Sequence, residues 1–256
     1  MIPARKHPWF NRWFAGQARG RLRGRFDRVR VAGAEHLRAA SAEGPVLLVS
    51  NHCAWWDPLV VLFLETFVFG GVWYAMMDAT NLRRLPFFGL IGAFGVDLDA
   101  PSDGAAAMKY SARLLKAPGQ AVWIFPQGTE RPQTLRPLGF RAGSAEIARI
   151  ARVPTVPVAL RYEFVHAERP ELFIDIGAPM PFGRDVTAGR AEHEAAVTAG
   201  LDRIEADLHA QRFDRYTTVL EARPDRLGRW AEGILAWMTR PLRAKRADVA
   251  RLSRGP

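Results

Sequence analysis

One cysteine, Cys53, stands among the 256 residues, so the chain can form neither an intramolecular disulfide nor a cysteine zinc cage, and a reducing cytoplasm is its natural setting. Lysine is also scarce, with four residues beside 32 arginines. No fixed-period repeat or low-complexity tract occurs, which sets aside solenoid, collagen-like and linker-dominated architectures. P-loop, zinc-finger, RNA-binding aromatic and HExxH signatures are absent as well, so no metal is expected. The first residues lack the apolar core of about 7 to 15 residues that a cleavable signal carries. The longest weakly charged run, residues 59–77, holds only Glu65 and is split by Gly70 and Gly71. It reads as a buried or membrane-facing helix over 59–69 followed by a short strand, rather than as a span.

What is present is ordinary globular material: 48% of residues are hydrophobic and 24% charged, with 22 glycines and 18 prolines, enough for one large domain with appendages. The net charge of +10 is unevenly spread. Residues 1–30 hold nine basic residues and one acidic, residues 223–256 nine basic and three acidic, and residues 31–222 carry a net −4. A nucleic-acid-binding protein, suggested by the basic balance, is therefore disfavoured for the central body. Both ends also carry apolar stripes: Trp9, Phe10, Trp13, Phe14, Ala18, Leu22 and Phe26 in one, and Leu227, Trp230, Ile234, Leu235 and Met238 in the other. Two readings stand side by side. Basic amphipathic helices can lie in a membrane interface on anionic lipid, or pack on the domain with solvated basic faces, and Gly16, Gly20 and Gly24 weaken the first helix. The organisation expected is a basic amphipathic segment over 1–30, a domain over 31–222 and a second such segment over 223–256.

Short apolar runs at 45–50, 72–76, 95–98, 121–125 and 155–160 predict buried strands, and 173–176 a late one. Helical patterns occupy 59–69, 104–115 and 143–151, and Val197, Leu201, Ile204 and Leu208 mark one face of a helix over 191–211. Strands alternating with helices predict an α/β fold, a central mostly parallel sheet flanked by helices, with ligands at the strands' carboxyl ends.

Two such ends carry chemistry. After the first strand come His52, Cys53, Ala54, Trp55, Trp56, Asp57 and Pro58. Aspartate before proline is a helix start, so Asp57 has a structural explanation as an N-cap. A folded-back loop would instead bring its carboxylate to His52 and fix the tautomer of a base. Trp55 and Trp56 fit either a channel or the core. The other block runs Phe125, Pro126, Gln127, Gly128, Thr129, Glu130, Arg131. Gly128 permits close approach of a ligand, Thr129 offers a hydroxyl and Arg131 an anion-binding fork. His7, His36, His166, His193 and His209 lie in polar contexts and read as surface residues. Cys53 reads as a small hydrophobe rather than a nucleophile.

These blocks, in this order, with Val153 to Val158 as the last, resemble the glycerolipid (PlsC-like) acyltransferase family over about residues 45–160. The family's histidine, four residues, then aspartate is matched by His52 and Asp57, and its Phe-Pro-Glu-Gly-Thr-Arg block in part by Phe125 to Thr129. The resemblance implies fatty acyl transfer from acyl-CoA or acyl carrier protein, as co-substrate rather than cofactor, to a hydroxyl of a lysophospholipid or a non-phosphorylated lipid alcohol or glycolipid. It implies His52 as general base, Asp57 as its partner, and acceptor contacts from Gln127, Gly128, Thr129 and Arg131. Amides around Gly128 are the candidate oxyanion donors. Two departures bear on the acceptor. Asp97, Leu98 and Asp99 occupy a block that commonly ends in a phosphate-reading arginine, and Gln127 and Glu130 replace a glutamate and an arginine. An acceptor with an uncharged head is the expectation. The expected site of action is the cytoplasmic face of a membrane, bound peripherally, without nucleic acid. A catalytically inactive lipid-binding relative is the rival reading.

Overall fold

The computed structural model describes residues 1–97 and 100–222. Leu98, Asp99 and the C-terminal stripe and basic tail of 223–256 lie outside the described residues, so the expectations for them are not taken up again. Residues Met1–Ala222 form one compact unit, the N-terminal segment included.

In chain order the elements are α1 (Pro8–Arg25), β1 (Arg28–Ala32), α2 (Ala34–Glu43), β2 (Val46–Ser50) and α3 (Asp57–Phe63). A π-helical stretch, Leu64–Phe69, leads to β3 (Val72–Asp78), α4 (Ala79–Arg84), α5 (Phe87–Leu90) and β4 (Ala93–Val96). Then come α6 (Pro101–Leu114), β5 (Gln120–Ile124), α7 (Gly143–Ala151), β6 (Thr155–Glu163), β7 (Glu171–Ile176), α8 (Val186–Ala210) and β8 (Thr217–Glu221).

All eight strands join one sheet in the order β4-β3-β5-β2-β6-β7-β1-β8. Pairing is parallel throughout except between β6 and β7 and between β1 and β8. β2 is wholly buried between β5 and β6, which is why it reads as an unbroken apolar run. Its side chains alternate between two cores. Val46 and Leu48 join Val60, Phe63, Trp73 and Trp123 on the face covered by α2 and α3. Leu47 and Val49 join Ile147, Val197, Leu201 and Ile204 on the face covered by α7 and α8.

The α/β architecture agrees with the sequence expectation, and the differences have local causes. The strand expected at 95–98 forms at Ala93–Val96, after Gly92 turns the chain with φ 101°. The late strand starts earlier, at Glu171, because Glu171 is buried as the ion-pair partner of Arg30. That pair, with Arg30 5.0 Å from the Phe213 ring, lets β1 carry an arginine inward, so a Val-Arg alternation that reads as a basic, solvated segment is buried on both faces. α8 begins at Val186, where Asp185 caps the amides of Thr187 and Ala188 at 2.8 and 3.2 Å.

α1 takes part of each reading offered for it. Ala15, Ala18 and Leu22 are buried, two of them against Leu59 and Leu62 of α3, while Trp9 and Trp13 remain 70% and 49% exposed. The stretch 59–69 is divided between α3, buried from Leu59 to Phe63, and the π-helical stretch that ends at Gly70. No described helix is long and apolar enough to cross a membrane.

Candidate active site

Asn51, at the end of β2, continues the sheet with its side chain. Its amide donates to the Leu160 carbonyl at 2.9 Å and its oxygen accepts from the Leu160 amide at 2.8 Å. With Asn51 fixed to β6, the next residue turns into the crevice above the sheet. The His52 ring stacks on Phe125 from the end of β5, with centroids 4.4 Å apart. Two hydrogen bonds, each donated by a backbone amide, tie the His52 loop to the 125–131 loop. The His52 amide donates to Gln127 Oε1 at 2.6 Å, and the Arg131 amide donates to the His52 carbonyl at 2.9 Å.

Asp57 is wholly buried and, of its two sequence readings, follows the folded-back loop rather than the helix cap. Trp56 is the N-cap and Asp57 the first helical residue. The carboxylate turns back into the preceding loop, where Oδ2 accepts from the Cys53 and Ala54 amides at 2.9 and 3.1 Å and meets His52 Nδ1 at 2.6 Å. Oδ1 accepts the Tyr162 hydroxyl at 2.6 Å. A carboxylate that accepts two amides and a phenol is an ionised acceptor, so Nδ1 carries the imidazole proton and Nε2 is left as the basic nitrogen.

His52 opens on a cleft of about 610 Å³ whose walls are mostly apolar, among them Leu59, Leu62, Trp73, Met76, Phe88 and Phe125. Gly128, Thr129 and Glu130 edge the same cleft, and Trp55 stands at it 56% exposed. The arrangement suits a long apolar ligand whose polar end meets a base. Trp56, in contrast, packs edge-on against Phe26 at 5.3 Å in the core.

The expected acceptor residues therefore separate into two groups. Gly128 and Thr129 face the cleft. Gln127 is buried beneath it, holding the His52 amide, and the Arg131 guanidinium lies over Gly139, where a Cβ would come within 2.8 Å of Nη1. The Gly128 amide, a candidate oxyanion donor, is already bonded to the Phe125 carbonyl at 3.0 Å, and the Arg131 amide to His52.

Cys53 does not face its neighbour's task. Its thiol donates to the Leu160 carbonyl at 3.6 Å, and burial together with the Asp57 charge pushes its pKa well up. His193, expected at the surface, is buried between α8 and α7 with Nδ1 3.0 Å from the Ser144 hydroxyl. Among residues that sequence reasoning missed, Tyr162 stands out, since no spacing links a tyrosine on β6 to an aspartate more than a hundred residues earlier. Glu130, which in the sequence bears on the acceptor's head group, stands beside the base, its Oε1 3.9 Å from His52 Nε2.

Comparison with known proteins gives a consistent result. A family model described as Acyltransferase matches residues 28–161. The chain is 31% identical over 181 residues to 1-acyl-sn-glycerol-3-phosphate acyltransferase of Streptococcus pneumoniae (strain ATCC BAA-255 / R6). That match covers 67% of this chain and spans 61% of the relative's length. In fold the chain is similar to the 1-acyl-sn-glycerophosphate (LPA) acyltransferase PlsC from Thermotoga maritima, with a TM-score of 0.54 at 19% identity, over 77% of this chain and 79% of that one.

Proposed function

The chain belongs to the acyltransferase family whose model matches residues 28–161, and from that premise we propose that it transfers a fatty acyl group from an acyl thioester to a hydroxyl of a lipid-like acceptor. The single observation that carries this reading is the His52 ring, held at Nδ1 by buried Asp57 and presenting Nε2 to an apolar cleft.

In this proposal the acyl chain lies along the apolar wall and the acceptor hydroxyl meets Nε2. As the hydroxyl oxygen bonds to the thioester carbonyl carbon, its proton passes to Nε2, and Asp57 stabilises the imidazolium. Collapse of the tetrahedral intermediate breaks the carbon–sulfur bond, and the leaving thiolate takes the proton back. Gly128 and Thr129 border the acceptor, while Gln127 holds the loop that carries the base. The donor is acyl-CoA or acyl carrier protein. The exposed Trp9 and Trp13 with the arginines of α1 support peripheral contact with the cytoplasmic face of a membrane.

The second reading, a phosphate-bearing acceptor, is supported by the name of the Streptococcus pneumoniae relative, 1-acyl-sn-glycerol-3-phosphate acyltransferase, and the acceptor panel below separates it from a neutral one.

The test is acyl transfer from labelled acyl-CoA and acyl carrier protein onto lysophosphatidate, other lysophospholipids and neutral glycolipids in vesicles, with wild type and His52→Ala. The expected loss in the variant is about 10² to 10⁴-fold. Equal transfer by both proteins overturns the role of His52. No transfer by either, with lipid binding intact, supports an inactive lipid-binding relative.

A further inference from the structure

We propose that Glu130 is a specificity-determining residue that directs the site to an acceptor whose head is a non-phosphorylated polyol, a sugar or glycerol carried on a lipid. The proposal rests on the acyl-transfer reading above.

The geometry begins at His52 Nε2. Because Nδ1 is occupied by Asp57, the acceptor hydroxyl must approach Nε2, at about 2.7 to 3.2 Å for proton transfer. Glu130 Oε1 stands 3.9 Å from the same nitrogen, on a side chain that is 52% exposed and at the cleft's edge. A group carried toward Glu130 on the carbon next to the reacting hydroxyl therefore meets this carboxylate. A neighbouring phosphate would bring a second anion against it, whereas a neighbouring hydroxyl can donate to it.

The rest of the cleft brings one cation to a phosphate. Of the acidic residues that line it, Glu65 is paired with Lys6 at 2.5 Å and Asp78 caps the Asn81 amide at 2.9 Å. Among its described lining residues Arg21 is the one lysine or arginine, and its guanidinium lies over the Trp55 ring, 5.6 Å from the centroid, so a single cation at the Trp55 side of the cleft faces the Glu130 carboxylate's opposite charge. Arg131, one residue past Glu130, is directed to Gly139 instead. The half-exposed Trp55 face and the Thr129 hydroxyl complete a border that fits the mixed apolar and hydroxyl surface of a sugar better than a dianion.

The experiment measures kcat/KM with one acyl thioester and three acceptors: a long-chain alkyl glucoside, monoacylglycerol and lysophosphatidate. Wild type is expected to favour the neutral acceptors over lysophosphatidate by about tenfold or more, and Glu130→Gln to reduce that ratio by about tenfold. A wild-type preference for lysophosphatidate, or a ratio unchanged in Glu130→Gln, overturns the proposal. Should no acceptor be turned over, the acyl-transfer reading fails on its own account. Binding of alkyl glucoside and lysophosphatidate to wild type and Glu130→Gln by calorimetry then decides the role of Glu130 separately: tighter glucoside binding that is lost with the charge supports it, and tighter lysophosphatidate binding or no change overturns it.

Discussion

Tyr162 donates its hydroxyl to Asp57 Oδ1 across 2.6 Å, so the carboxylate behind His52 is held from β6 as well as from its own loop. Burial and the Asp57 charge push the phenol's pKa well up, which keeps it a protonated donor at any pH at which His52 works as a base. Tyr162 itself is fixed from behind, since Gln133 bonds its amide at 2.9 Å and its carbonyl at 2.7 Å. A hydrogen bond to a charged acceptor is worth about 1.5 to 3 kcal/mol. Tyr162→Phe should therefore lower kcat by about tenfold while the acceptor KM stays within about twofold. Steady-state kinetics on the folded variant separate this positioning role from a packing role, which would lower thermal stability without that split between kcat and KM.

Cys53 is the residue most easily mistaken for a nucleophile, because it adjoins His52 in sequence. Its half-buried thiol is held in the protonated form, bonded to the Leu160 carbonyl rather than to the imidazole. Cys53→Ala should keep transfer within about threefold of wild type, and a thiol reagent at neutral pH should react far more slowly than with a free thiol. A loss comparable to that of His52→Ala would instead assign a covalent acyl-enzyme step to this sulfur.

The inner strands and the His52–Asp57 relationship were legible because each rests on a local signal. β2 is a run of five buried apolar residues, and a histidine at its carboxyl end followed by an aspartate before a proline limits where both side chains can go. What was not legible depends on long-range pairing. Tyr162 reaches Asp57 only because β6 lies beside β2, a neighbour relation that crosses more than a hundred residues. Gln127 and Arg131 looked like acceptor contacts in the motif, but the turn that bonds the Gly128 amide to Phe125 takes their side chains out of the cleft. β1 lies in the basic N-terminal stretch, and the burial of its Arg30 depends on the Glu171 carboxylate from β7.

The aromatic face of α1 gives a membrane prediction distinct from the chemistry. Trp9 and Trp13 stack at 6.4 Å on the outside of a helix whose opposite side is anchored by Ala15, Ala18 and Leu22. Replacing both with alanine removes exposed surface and leaves the anchored side intact. Binding to anionic vesicles should weaken by about tenfold, with little change in melting temperature. Sedimentation with vesicles of anionic and zwitterionic lipid measures this, and undiminished binding would move the membrane contact elsewhere.

His193 gives the fold a dependence on pH that does not involve the active site. Burial between α7 and α8 lowers its pKa to about 4 from the usual 6.5, because the folded protein disfavours the charged ring. Between those two values the unfolded chain binds the proton and the folded chain does not, so stability rises with pH across that interval. The contribution is complete above about pH 6.5 and is lost as pH falls toward 4, by about 3 kcal/mol at most. His193→Gln keeps a polar partner for Ser144 but cannot take up a proton. Denaturant unfolding at pH 7 and pH 5 should therefore show a smaller loss of stability on acidification in the variant than in wild type. Equal losses would mean that carboxylates elsewhere account for the acid sensitivity and that the buried imidazole is accommodated in its charged form.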